Sequence, residues 1–451
     1  MNRSPRLALA IVFLVVFLGT AATEARAATS GQRLWEQIIT DVITVRSDYV
    51  AGAAPGANNS VYLCGVYDHW DNDNYLWVAR YSSNGNQIWL RKYGETLGSV
   101  GNGVAIAVDR NGNLIVVGQI SLAGNRNILV LKYSRDGVLR WDHIFDGVAG
   151  GDDGATDVVV DSSGGVYLAA ASTGLSSGLD YLVIKYSAAG AYRWESRYVG
   201  PGVDDAPWAI VIDGERNTYV TGGSASAAGD SDIVTVKMDA AGTRLWARRW
   251  DGGAHLDDYA VDLAVAAGGV YVDGVATSGT SSEDVALLRY APSGVRSWAR
   301  IWDGPDHSVD TAPRLAVDAE GNAWTAGATE NAAGHRQALL IKWDAAGGVL
   351  WAQRDAGGTV LQSAFYDLTI DAHGTAWCAG SQQPVTGSGD LLVGKYSSGG
   401  KQLWMRTWDG HAHDYDGAHA LCLSGTSSLY VGGGTSVPGA GVDPLLIKYR
   451  R

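Results

Sequence analysis

The sequence predicts an all-β fold: an eight-bladed β-propeller of four-stranded blades, its last blade closed by the N-terminal strand. Three observations predict it. First, tryptophan recurs at Trp89, Trp141, Trp194, Trp246, Trp298, Trp351 and Trp404 in steps of 52 or 53 residues, and Trp35 precedes Trp89 by 54. A fixed step of this size marks repetition of one supersecondary unit. Second, each interval reads as four short strands, with no helical period anywhere. Third, the chain holds eight copies of the first three strands but only seven tryptophan strands after them. The eighth tryptophan strand stands at the beginning, at residues 33–39. An open array would leave two unpaired edges, which soluble proteins avoid, whereas a ring pairs residues 33–39 with 445–449. Seven blades is the alternative, should the irregular first copy (48–89) not form a full blade.

The repeat is plainest between Asp153 and Gly200. Strand a covers 155–161 and ends in the turn Ser162-Ser163-Gly164-Gly165; strand b covers 166–171, and a polar loop follows. Strand c is 180–186, then comes a turn over 187–190, and strand d at 191–198 carries Trp194. Runs rich in β-branched and aromatic residues between Gly, Ser, Asn and Asp clusters are strand and turn signals. Strand b repeats an aromatic at Tyr62, Tyr167, Tyr219, Tyr271, Trp324, Trp377 and Tyr430. Strand c ends in a basic–apolar pair such as Lys132-Tyr133, Lys237-Met238 or Lys448-Tyr449.

Residues 1–27 read as a signal peptide. Arg3 and Arg6 precede the apolar run 7–18, too short to span a bilayer, and Ala25-Arg26-Ala27 offers a cleavage site. The remainder, 28–451, is then one exported propeller domain, periplasmic or extracellular, with no membrane insertion. A net charge of −13 argues against nucleic acid as a partner. Cys64, Cys378 and Cys422 each fall in a predicted strand, and an odd count excludes a disulfide framework. Buried thiols are expected, with one bridge left open.

The repeat with Ala105-Ile106-Ala107-Val108-Asp109, Asn111-Gly112-Asn113 and Val166-Tyr167-Leu168 resembles the bacterial SBBP propeller repeat. The segments from Asp239-Ala240-Ala241-Gly242 to Trp246, and from Asp344-Ala345-Ala346-Gly347 to Trp351, look like the tryptophan-docking motif of quinoprotein-type eight-bladed propellers. The first resemblance implies an exported repeat protein. The second brings in pyrroloquinoline quinone (PQQ) dehydrogenases and non-catalytic envelope scaffolds. The adjacent cysteine pair of many PQQ alcohol dehydrogenases has no counterpart here.

Candidate site residues fall into three sets. The repeated tryptophans are expected to wedge between blades with their N–H on a backbone carbonyl. Trp70 and Trp208 stand apart from the recurrent aromatic positions and are expected to face a ligand. A second set lies in the d–a loops, the connections from strand d to strand a of the next blade. There Asp48, Asp153, Asp205, Asp258, Asp310 and Asp416 recur, either as a charged channel mouth or as acceptors that fix each loop. The same loops hold His255, His307, His411 and His413, with His419 on the next strand; the run from His411 to Asp416 could ligate a divalent metal. The third set is on strand a: Asp157, Asp262, Arg314 and Asp367, where other copies have alanine. These form either an inter-blade ion-pair cluster or the lining for a cationic or polyol ligand.

The a–b and c–d turns are short and repetitive, while the d–a and b–c loops vary. Variable loops on rigid strands suit recognition. The sequence therefore predicts a non-catalytic binding or scaffold module for a protein partner or an extracellular polymer. His411, His413, Asp416, His419 and Asp48 would gather near the closure. The alternative is a quinoprotein-like or glycan-active enzyme with its site at the channel mouth. No cofactor is expected; the resemblance leaves PQQ open and the run from His411 to Asp416 leaves a divalent metal open, neither with further support in the sequence.

Overall fold

Alternating apolar strands bounded by glycine turns can bury only one face within their own sheet, so each unit must pack against its neighbours. A computed structural model shows how they do so. It describes residues 30–39, 46–67, 75–94, 100–122, 124–266, 268–279, 282–355, 360–439 and 441–451. The proposed signal peptide and Trp70 lie outside these residues. Among the described residues, no helix is long and apolar enough to cross a membrane.

The strands form eight antiparallel sheets. Blades 1 to 7 span 49–93, 100–145, 153–198, 205–250, 259–302, 310–354 and 360–408. Blade 8 takes its first three strands from 416–450 and its outer strand from Arg33–Ile38. Strands a touch one another around the full ring, blade 8 back to blade 1 included, and so surround the axis. The closure has the predicted register, with Arg33 opposite Tyr449, Trp35 opposite Lys448 and Ile38 opposite Leu445. The irregular first copy forms a complete sheet, so the count is eight and not seven.

The repeated tryptophan is the fastener between blades. Its indole N–H donates to a carbonyl in the c–d turn of the next blade: Trp35 to Ser83 (3.0 Å), Trp89 to Arg135 (3.0 Å), Trp246 to Pro292 (3.1 Å). The same holds for Trp141, Trp194, Trp298 and Trp351. Trp404 reaches the Ser30 hydroxyl instead, because the N-terminal segment supplies the neighbouring turn.

The basic residue of strand c has the same target. Arg80 donates to Arg135 O, Lys132 to Ala188 O, Lys237 to Pro292 O and Lys448 to Ser83 O, so each carbonyl receives two donors. The strand-b aromatic supports the cation, with the Lys185 ammonium 4.5 Å from the Tyr167 ring centre and Lys342 equally close to Trp324. Where strand b has Ile115, Lys132 pairs with buried Asp109 at 3.1 Å. The recurring basic–apolar pair is thus a structural clamp.

The turn glycine completes the joint. Gly242 has φ +85°, and a Cβ there would lie 2.7 Å from the Trp194 ring. Gly242→Ala is therefore expected to cost ~2–4 kcal/mol through a left-handed backbone and a crowded ring. Gly214→Ala, with open space around it, should be nearly neutral. Equal shifts of the thermal midpoint for both would contradict the docking role. All three cysteines are free and buried, and burial pushes the Cys64 thiol up to about 12.

Candidate functional site in the channel and the loop-bearing mouth

Each strand a breaks register in mid-course, between Ala155 and Asp157, Pro207 and Ala209, Phe365 and Asp367, and Ala418 and Ala420, for example. A bulge leaves one residue unpaired and re-aims its side chain. Here the unpaired residues include Thr156, Trp208, Val261, Tyr366 and His419, placed one per blade around the axis. Trp208 is 54% exposed. It stands on blade 4, diametrically across the ring from blade 8. There His419 stacks on Tyr366 of blade 7 (6.2 Å between centres) and lies 5.4 Å from Tyr49 of blade 1. Burial lowers the His419 pKa.

The residue after the bulge is the inner-strand charge. Asp157 accepts from the N–H of Val158 and, across the blade gap, from that of Ile210 at 2.9 Å. Asp262 does the same with Leu263 and Leu315, and Asp367 with Leu368 and Leu421. These carboxylates staple blades 3 to 4, 5 to 6 and 7 to 8. All three are partly buried, and desolvation raises their pKa values, to about 7 for Asp157 and about 6 for Asp262. The Arg314 guanidinium lies 3.5 Å from Asp367, so the expected pairing exists. All three carboxylates also accept two backbone N–H groups each.

The recurrent loop aspartates are buried anchors. Asp153, Asp205, Asp258, Asp310 and Asp416 each accept the N–H of a glycine five or six residues earlier, at 2.5 to 2.6 Å. This geometry fits the loop-fixing reading.

The histidines also have local partners. His255, His307 and His413 share a left-handed backbone, and each Nδ1 faces the aspartate four residues earlier: Asp251, Asp303 and Asp409. His411 faces Glu36 of the closing strand at 3.6 Å. The Asp48 N–H donates to Val442 O, beside the closure. The structure therefore places His411, His413, Asp416, His419 and Asp48 near the closure, but with separate partners rather than as one constellation.

A different feature dominates the loop-bearing mouth. Strand a of blade 7 runs over Val360–Ile370 and strand b over Ala376–Pro384, and their pairing extends to Val360 opposite Pro384. Strand a is typically eight residues in the other blades, such as Asp205–Ile212, so blade 7 stands taller. Over it lies a cleft of about 420 Å3, flanked by blades 6 and 8. Its lining includes Tyr366, Tyr415, Gln362, Gln382, Gln383 and exposed Arg336. Sequence reasoning missed Tyr366, although the comparison of copies that isolates Trp208 isolates it too. The glutamines carried no signal, because they read as loop.

No family model and no curated protein matches the chain. Solved structures do. Sqt1 from Chaetomium thermophilum is 11% identical, with 90% of this chain and 97% of that one covered and a TM-score of 0.55. The polysaccharide lyase Uly1 is 12% identical over 77% and 90%, with a TM-score of 0.47. The propeller domain of the Trilobed protease from Pyrococcus furiosus is 7% identical over 77% and 97%, with a TM-score of 0.45. At these identities the likeness concerns the propeller fold alone.

Proposed function

We propose that the protein is an exported, non-catalytic binding module that holds a hydroxyl-rich polymer, a polysaccharide, in the cleft over blade 7. The observation that carries this reading is the lining of that cleft. Amide side chains supply paired donors and acceptors, serine hydroxyls adapt to either role, and tyrosine faces offer flat apolar contact with a polar edge. That combination suits a chain of hydroxyls and C–H faces. Arg336 adds one cation to an acidic protein, which would tolerate a carboxylated sugar.

The inner-strand carboxylates support a non-catalytic role, since both oxygens of each accept a backbone N–H. The mid-strand charges around the channel are three carboxylates and one guanidinium, a poor lining for a polycarboxylate quinone. Apolar residues on the loops of blades 3 and 4, Leu175 (79% exposed) and Val203 (67% exposed), favour a protein partner as the second reading.

Affinity electrophoresis against a panel of neutral and carboxylated polysaccharides tests the proposal. At least one should retard the protein, and Tyr366→Ala or Gln382→Ala should weaken binding ~10-fold or more. Leu175→Asp should leave it unchanged. Retardation by none of the panel, or loss only on Leu175→Asp, would overturn the polymer reading.

A further inference from the structure

Strand c of blades 3, 4 and 5 places an aspartate at one position: Asp180, Asp232 and Asp284. All three are buried. In blade 3 Asp180 meets Arg197 of strand d at 3.1 Å, and in blade 4 Asp232 meets Arg249 at 2.5 Å. Each buried carboxylate there has its cation. In blade 5 strand d carries Ile301 at that position, opposite Ala286, just as Arg249 stands opposite Val234 in blade 4. Asp284 keeps its place without the guanidinium. It is 3% exposed, and its Oδ1 has no hydrogen-bond partner.

Two more carboxylates stand beside Asp284, as Asp251 and Asp258 stand beside Asp232 in blade 4, but here no guanidinium offsets them. Asp303 and Asp310 each bring an oxygen to within 4.8 Å of one from Asp284 and of each other. Asp310 is fully buried and holds the Gly304 N–H with Oδ2. His307 caps the far side of Asp303, Nδ1 to Oδ2 at 2.6 Å. Arg354 of blade 6, whose charge reaches Asp310, is engaged by Asp306 at 3.2 Å. Two buried carboxylates with the exposed Asp303 beside them repel one another unless protonated or matched by positive charge. Burial, then Asp303 and Asp310, raise the Asp284 pKa to about 7. Blade 7 repeats the aspartates at Asp390, Asp409 and Asp416, but there the Gln382 amide reaches Asp390.

We propose that Asp284, Asp303 and Asp310 bind a hard divalent cation, best matched by Ca2+, which takes the place that Arg249 fills in blade 4. An all-oxygen set with unshared lone pairs and room for water suits calcium, whose coordination is flexible, better than a nitrogen- or sulfur-seeking metal. The cation ties strand c of blade 5 to the loop that enters blade 6. Affinity is expected at Kd ~10⁻⁴–10⁻³ M, the range of weak extracellular calcium sites.

Terbium is the probe, because Trp302 precedes Asp303 in the chain and can sensitise its emission. The full protein, stripped with EDTA, should give saturable Tb3+ emission that Ca2+ displaces, and added Ca2+ should raise its thermal midpoint. Asp284→Asn should weaken displacement by Ca2+ at least ~10-fold. Ile301→Arg, which installs the guanidinium of blades 3 and 4, should abolish emission and leave a fold at least as heat-stable as the metal-free parent. Arg249→Ile should create a second site in blade 4, where Asp232, Asp251 and Asp258 already lie equally close. Absence of emission from the parent, or emission unaltered by both Asp284→Asn and Ile301→Arg, overturns the proposal.

Discussion

Deleting residues 30–39 is expected to abolish cooperative folding or to lower the thermal midpoint by more than ~10 °C. The segment carries an outer strand paired along Leu445–Tyr449, and its loss would bare the edge of blade 8. It also serves the neighbouring blade. Ser30 accepts from Trp404 and Lys395, Gly31 O from Arg406, and Glu36 from Trp408. Trp35 itself docks on blade 1 through Ser83. A truncated docking tryptophan costs ~3–5 kcal/mol, and each lost hydrogen bond adds ~1. The sum is comparable with the whole stability of a typical domain, ~5–15 kcal/mol. Leu34→Ala, at a side chain 40% exposed, is the control and should melt like the parent. A truncated protein that melts like the intact one would mean that the ring does not depend on its closing strand.

The fold was legible because it is repetitive. Trp35 to Trp404 mark every joint, and the surplus strand at the N-terminus balances the missing one at the C-terminus, so blade count and closure followed from position alone. Repetition also made the structural residues readable. Six loop aspartates in register are better explained by equivalent loops than by one site, and the glycine N–H hydrogen bonds of five of them agree. The candidate sites lie where the repeat is broken. Trp208 was visible as an aromatic out of column, yet its unpaired, exposed place on strand a depends on a bulge that no residue type announces. The cleft over blade 7 comes from a few extra ladder pairs near Val360 and Pro384, where glutamine and serine give no strand signal. The trio at Asp284 is spread over strand c, a loop and the next blade. Only the fold brings these residues within reach of one another.

Asp273 offers the other large effect, and its sign is opposite to that of most core substitutions. It sits on strand b of blade 5, directly across the ladder from Asp262, where blades 3, 6 and 7 have Ala169, Ala326 and Ala379. The residue is wholly buried, and neither carboxylate oxygen has a hydrogen-bond partner. Burial, followed by the charge of Asp262, pushes its pKa well above the carboxylate range. The folded state therefore holds a proton that the unfolded chain releases near pH 4. Stability from this group is complete below about pH 4 and declines as pH rises toward the folded pKa, since the native state binds more protons than the unfolded one. Asp262, raised to about 6, slopes the same way over its own window. Asp273→Asn removes the charge and keeps the shape. It is expected to stabilise the protein by ~2 kcal/mol or more at pH 8 and by almost nothing at pH 4. Chemical denaturation of the two proteins at both pH values provides the measurement. A variant less stable than the parent at pH 8 would show that the ionised Asp273 is compensated in the native state, and the proton assignment would fall with it.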